Sequence, residues 1–173
     1  EEHLTALLQK KRQTEILISN VRKTLESMKG RTMMSDKEKF EGFKRDLIKE
    51  NEEKYGREVR EAYGEDAVEA SNRRLAGMSQ EDWTKQEELS REILDTLKAA
   101  MEIGDPAGEL AQKACGLHRQ WLWMFWGDGA YTREAHRGMG EMYVADQRFK
   151  AYYDKVQDGA AEFFCDALNI YCS

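Results

Sequence analysis

Proline is nearly missing from this sequence: Pro106 is the one example among 173 residues, with 13 glycines beside it. So few chain breaks leave room for long uninterrupted helices, and the dominant residues (Glu, Lys, Leu, Ala, Arg and Met) are good helix formers. An all-α fold is predicted; no stretch reads as a strand, and no internal repeat is present. No apolar run approaches the roughly 20 residues needed to cross a bilayer, and nothing resembles a signal peptide, so no membrane contact is expected. The three cysteines, Cys115, Cys165 and Cys172, form no close motif, and their odd number does not suggest a disulfide framework. A reducing, cytoplasmic setting fits them best. Basic charge is also short: the net charge is −6, which argues against gripping a phosphate backbone directly. No nucleophile beside a base, no paired carboxylates in an apolar setting and no glycine-rich phosphate loop can be found, so an enzyme is not expected.

What the chain has in quantity is charge, 35% of residues, against a hydrophobic fraction of 40%. That charge exceeds the usual quarter or so of a globular domain and points to long solvated helical faces. The apolar residues are concentrated. From His118 the sequence runs His-Arg-Gln-Trp-Leu-Trp-Met-Phe-Trp, followed by a Gly/Asp turn and a second helical stretch to Phe149. At about 100° per residue, Trp121 and Phe125 share one direction, Leu122 and Trp126 a second, Trp123 a third and Met124 a fourth. A helix apolar on all sides is either fully buried or has one face on a cavity, and a chain of this size predicts a pocket.

At the N-terminal end, Leu4, Leu7, Lys11, Thr14, Ile18, Val21, Leu25 and Met28 fall at alternating steps of three and four, a heptad seam. Residues 1–29 are predicted as one helix, about 44 Å long at roughly 1.5 Å per residue. Either it packs on its own domain or, as the length favours, it forms a two-stranded coiled coil between subunits through Leu4, Leu7, Ile18, Val21, Leu25 and Met28. Lys11 and Thr14 interrupt the seam, a known device for fixing register. A hinge is placed at residues 30–35. Ser35-Asp36-Lys37-Glu38 reads as a capping box opening a charged helix to Gly64, with a thin stripe of Phe40, Phe43, Leu47, Ile48, Tyr55, Val59 and Tyr63. Residues 65–76 form a short helix with Val68 and Leu75 inward. Having little to bury, residues 35–76 are expected to be loosely held and to tighten on a ligand.

Ser79 and Asp82 start a helix to Ile103 carrying Trp83, Leu89, Ile93, Leu97 and Ala100 or Met101, which Gly104-Asp105-Pro106 ends. The aromatic helix spans about 108–126. Thr132 caps a helix through Val144; Asp146 or its neighbour opens one with Phe149, Tyr152, Tyr153 and Val156; Asp158-Gly159 precedes a last helix with Phe163, Phe164, Ala167, Leu168 and Tyr171. Trp121, Phe125, Tyr143, Phe149 and Phe163 are expected in the core, with Trp123, Trp126 and Tyr131 lining a cavity whose shape Met124, Met139 and Met142 can adapt.

Cys115 and His118, three apart on a helix, could hold a metal, but zinc needs two more ligands, which only His136, Cys165, Cys172 or a carboxylate could supply; a buried thiol beside a hydrogen-bonded histidine is expected and no metal. Haem on His118 or His136 has no further support, and no cofactor is expected. Gly138-Met139-Gly140 sits within a helical pattern, so it serves close helix packing or leaves room for a ligand.

Gly140-Glu141-Met142-Tyr143-Val144-Ala145-Asp146-Gln147-Arg148-Phe149, with an Ala-Glu-Phe-Phe helix from Ala161, resembles the TipA-type antibiotic-recognition domain found as the C-terminal half of some MerR-family transcription activators. The likeness continues through His118-Arg119-Gln120, Gln80-Glu81-Asp82-Trp83, Glu58-Val59-Arg60-Glu61 and Glu38-Lys39-Phe40, covering residues 33–172, and residues 1–29 resemble the MerR dimerisation helix. The resemblance implies a coiled-coil helix followed by a globin-like helical domain without haem over residues 36–173. It also implies a homodimer that senses thiopeptides or other bulky, amphiphilic toxic compounds and induces resistance or multidrug-efflux genes. DNA would be met only through a helix-turn-helix domain that these residues do not include. Relatives that trap thiopeptides covalently carry a cysteine two residues before the Gly-Glu-Met-Tyr stretch; Gly138 stands there, so non-covalent binding is expected. The expected ligand face is Trp123, Trp126, Tyr131, Met139, Met142 and Tyr143, with His118 or His136 as polar contact. The rival reading is a globin-like cofactor protein or enzyme.

Overall fold

The computed structural model describes residues 14–26, 35–126 and 129–173, so the expectations for Leu4, Leu7, Met28 and residues 30–34 lie outside the described residues. Eight helices and no strand occur among the described residues: α1 (14–26), α2 (Asp36–Tyr63), α3 (Glu65–Gly77), α4 (Gln80–Ile103), α5 (Glu109–Phe125), α6 (Arg133–Ala145), α7 (Gln147–Asp154) and α8 (Ala160–Tyr171). The chain divides into two compact units, 1–44 and 45–173.

In the first unit, Ile16, Leu17, Ile18, Val21 and Leu25 of α1 are all about half exposed or more. The start of α2 is the expected capping box: the Ser35 amide donates to Glu38 Oε2 at 2.7 Å and the Glu38 amide to Ser35 Oγ at 3.3 Å. One turn later Lys44 is only 2% exposed, paired with Glu41 at 2.9 Å and lying 4.8 Å from the Phe40 ring centroid.

The second unit is built around α4, α5, α6 and α8. Ser79 and Asp82 close a reciprocal box that starts α4, and Gly104, with φ 76°, ends it in the left-handed conformation that suits a residue without Cβ. Leu89, Ile93, Leu97 and Ala100 recur at helical spacing and bury one face of α4. Against it lies α5 through Ala111, Ala114, Cys115 and Leu117, whose small residues let the two backbones approach. Ala160, Ala161, Phe164, Ala167 and Leu168 of α8 complete the core. Thr132 Oγ1 accepts from the Ala135 amide to begin α6, and Asp146 accepts from the Arg148 amide to begin α7.

The remainder of α2, with α3, adds little apolar burial: Leu75 and, just beyond α3, Met78 are its buried hydrophobic residues, while Val68 is only half-buried. Polar ties replace them. Arg60 reaches Glu52 at 2.5 Å and Glu65 at 2.8 Å, Asn72 donates to Glu52 at 2.6 Å, and Arg148 of α7 holds Glu58 at 2.5 Å. Solvent-accessible ion pairs are worth ~0–1 kcal/mol each, against roughly 1.5–3 for a buried Leu, so this segment has less apolar burial to hold it than the α4, α5 and α8 core.

Two expectations need correction. Phe149 is 39% exposed rather than core: α7 is a short helix whose inward position is taken by Tyr153, 5% exposed, and Phe149 only flanks Tyr143, ring centroids 5.6 Å apart. Val156 lies past the end of α7, in the turn before α8.

Candidate functional site

The last two turns of α5 carry the site. Leu122 points into the core with no exposure, which sends Trp123, one residue on, to the outside at 52% exposure. Trp121 packs on Phe125, centroids 4.6 Å apart, and its Nε1 donates to Gln86 Oε1 at 3.3 Å, so this pair belongs to the contact with α4. Trp126 leaves the helix in an extended conformation. Its ring lies 6.3 Å from Tyr131, and Trp123 meets the same tyrosine edge-on at 6.1 Å. The three residues expected to act together are thus one aromatic cluster.

Arg119, one turn before Trp123, inserts its guanidinium into that cluster, 4.6 Å from the Trp123 ring and 5.0 Å from Tyr131. The i, i+4 spacing puts cation over indole on a helix face, a signal present in the sequence. Among the described residues its buried Nε has no hydrogen-bond partner.

Behind Tyr131 runs a buried chain of hydrogen bonds. The Tyr131 hydroxyl lies 3.0 Å from His136 Nδ1, His136 Nε2 lies 2.8 Å from His118 Nδ1, and His118 Nε2 lies 3.0 Å from the Tyr143 hydroxyl. Burial holds both imidazoles well below the ordinary histidine range; His118 is lowered further by His136 and His136 by Arg119. Burial likewise pushes the Tyr143 hydroxyl up. All four imidazole nitrogens are engaged, which leaves no lone pair for haem or a metal. The expected direct contact of His118 or His136 with a ligand is therefore relocated: at 2% and 0% exposure they are core groups, and the half-buried Tyr131 is their hydrogen-bonded link toward the surface. Tyr143, 4% exposed, is core as well.

Met139 and Met142 lie half-buried along α6. Met142 Sδ accepts from the Tyr63 hydroxyl at 3.2 Å, a partner 79 positions away that no sequence signal marks. The two glycines of α6 differ. A Cβ at Gly140 would come 3.0 Å from Leu168 Cδ1 and 3.3 Å from Cys165 Cα, so Gly140 serves the close packing of α6 on α8; a Cβ at Gly138 would meet open space. No expected ligand residue other than Tyr131 lines either of two open recesses. The first, about 290 Å³, is bounded by Arg119, Tyr131, Arg133 and Tyr171; the second, about 340 Å³, by Arg74, Gly77, Met78, Asp82 and Met124.

Residues 55–171 match the family model of the TipAS antibiotic-recognition domain. The chain belongs to the TipAS family. It is 34% identical over 148 residues to the HTH-type transcriptional activator TipA of Streptomyces coelicolor, covering 83% of this chain and 56% of TipA. It is 30% identical over 166 residues to the HTH-type transcriptional activator mta of Bacillus subtilis, covering 96% of this chain and 63% of mta. The chain thus spans less than two thirds of either relative. A solved TipAS from Streptomyces lividans, in complex with nosiheptide and described as part of a thiopeptide antibiotic multidrug resistance system, matches with a TM-score of 0.55 and 32% identity, over 80% of this chain and 94% of that one. The relatives are named transcriptional regulators, and no helix of the described residues is long and apolar enough to cross a membrane.

Proposed function

We propose that this chain is the effector-sensing part of a cytoplasmic MerR-type transcription activator that binds bulky amphiphilic antibiotics, thiopeptides among them, and so induces resistance or multidrug-efflux genes. The observation that carries it is the match in sequence and fold to a TipAS solved with nosiheptide. Residues 36–173 form the sensing domain, residues 30–35 a hinge, and residues 1–29 the helix that pairs two copies, with DNA contacted by a helix-turn-helix region outside these residues. The half-exposed Ile18, Val21 and Leu25 on α1 support that pairing. The ligand contacts are Trp123, Trp126, Tyr131, Met139 and Met142, with the buried Tyr143, His118 and His136 behind Tyr131.

Binding is non-covalent. Gly138 offers no thiol, Cys115 is fully buried with its pKa pushed up to about 12, and burial also raises the thiols of Cys165 and Cys172, so no thiolate is ready to attack. The test is a thermal-shift titration of the chain with thiopeptides and a panel of amphiphilic dyes. A saturable rise in melting temperature is expected, and no shift with any member would overturn the reading. A cofactor-binding globin relative is disfavoured by the engaged nitrogens of His118 and His136.

A further inference from the structure

The recess bounded by Arg119, Tyr131, Arg133 and Tyr171 is distinctive in its charge. The sequence has 33 acidic residues against 27 basic ones, and three arginines elsewhere in the second unit are matched closely: Arg60 by Glu52 and Glu65, Arg148 by Glu58 and Asp146, Arg73 by Glu69. Arg119 is half-buried yet, among the described residues, has no carboxylate in reach; its contacts are the two aromatic rings, and its Nε is buried without an acceptor. Arg133 spends one Nη on the Ser173 carbonyl oxygen at 2.6 Å. The Tyr171 ring packs against His136, centroids 5.8 Å apart, which brings its hydroxyl-bearing side chain to the wall of the recess. Burial raises the Tyr131 hydroxyl, Cys172 and Tyr171 add to the rise, and Arg119 and Arg133 oppose it.

A buried guanidinium donor without an acceptor costs on the order of 1–3 kcal/mol, more when charged, and is retained where something else accepts from it. The recess presents the guanidinium groups of Arg119 and Arg133 beside the side chains of Tyr131 and Tyr171, with Trp123 and Trp126 next to it through Tyr131. We propose that this recess takes the carboxylate of an amphiphilic organic acid, whose apolar body lies on Trp123 and Trp126. The inference rests on the ligand face assigned above and names its ligand class: acids are accepted and lipophilic cations refused. The Tyr131 hydroxyl then has a defined part. When it donates to the carboxylate it cannot also donate to His136 Nδ1, so in the complex His136 is the Nδ1–H tautomer that donates to Tyr131, while its Nε2 accepts from His118 Nδ1–H and His118 Nε2 accepts from Tyr143.

The experiment is calorimetric titration of the chain with 2-naphthoate, 2-naphthalenemethanol, 2-naphthylmethylammonium and inorganic phosphate. Naphthoate should bind about tenfold more tightly than the alcohol, the gain of a charge-assisted contact, and the ammonium should not bind. Arg119→Met should abolish the preference for acid over alcohol, and a far-ultraviolet circular dichroism spectrum matching the parent's should show that the variant is folded. Tyr171→Phe, which removes a single oxygen, should reduce the preference without removing it. With naphthoate bound, ¹⁵N spectra should show His136 as the Nδ1–H tautomer. Equal affinity for acid and alcohol, binding of the ammonium, phosphate binding as well as naphthoate, an acid preference untouched in both variants, or an Nε2–H His136 in the complex would each overturn the proposal. A thiopeptide that still shifts the melting temperature in that event leaves the antibiotic-sensing reading standing, so the two fail separately.

Discussion

His118 Nδ1 and His136 Nε2 share one proton across 2.8 Å, in a core where neither imidazole is more than 2% exposed. Both rings are neutral in the folded chain because burial lowers their pKa values. In the unfolded chain they titrate near the ordinary value of about 6.5. As pH falls below that value the unfolded state gains protons that the folded state refuses, so stability is complete above it and is lost on acidification. Each histidine contributes a slope of up to about 1.4 kcal/mol per pH unit. Urea melts at pH 7.5 and pH 5 should therefore show a lower midpoint at pH 5. In a His118→Gln/His136→Gln variant most of that pH dependence should vanish. An unchanged dependence would mean that the carboxylates, not this pair, set the acid limb.

Gly138 and Gly140 should respond differently to a methyl group. Gly138→Ala meets open space and gains helix propensity, so it should be neutral or stabilising by up to about 1 kcal/mol. Gly140→Ala drives a Cβ against Leu168 and the Cys165 backbone and should cost roughly 1–3 kcal/mol. Denaturant melts of the two variants check this; equal effects would contradict the packing of α6 on α8.

Residues 45–76 are tied by Arg60, Asn72, Arg148 and Tyr63 more than by apolar burial. Together with residues 35–44, their amides should exchange quickly without ligand and become protected when a bound thiopeptide orders them. Hydrogen exchange by mass spectrometry reads this directly, and identical protection in both states would remove the mechanism.

Trp126→Ala should weaken ligand binding about 30-fold, from the roughly 2 kcal/mol of a buried indole contact, with the fold retained. Because every thiol is held protonated, denaturing mass spectrometry of a saturated thiopeptide complex should return the mass of the unmodified chain. An adduct on any cysteine, or unchanged affinity in the Trp123→Ala/Trp126→Ala double variant, would contradict the site.

Ile18 is 48% exposed on α1. If α1 pairs two copies, Ile18→Glu places a charge in the seam at a cost of about 2–4 kcal/mol and should yield monomers. Light scattering at tens of micromolar decides, and a monomeric parent chain would end the pairing argument.

The helices and their starts follow from local chemistry. The box at Ser79 and Asp82, the caps at Thr132 and Asp146 and the stop at Gly104 involve neighbours within a few residues, so the sequence by itself determines them, as it determines that Leu122 and Trp123 face apart. The family is legible for the same reason, in the unbroken run from Gly140 to Phe149. Tertiary structure alone decides what those faces meet. Two residues apart on one helix, Gly138 and Gly140 must face different directions, but only the docking of α8 says which is crowded. Similarly, His118 and His136 sit on different helices and read as polar ligand contacts until packing turns both inward. The spacing of Arg119 and Trp123 on α5 is local, but the recess that Arg119 shares with Tyr131, Arg133 and Tyr171 comes from positions brought together by packing, which no local spacing encodes.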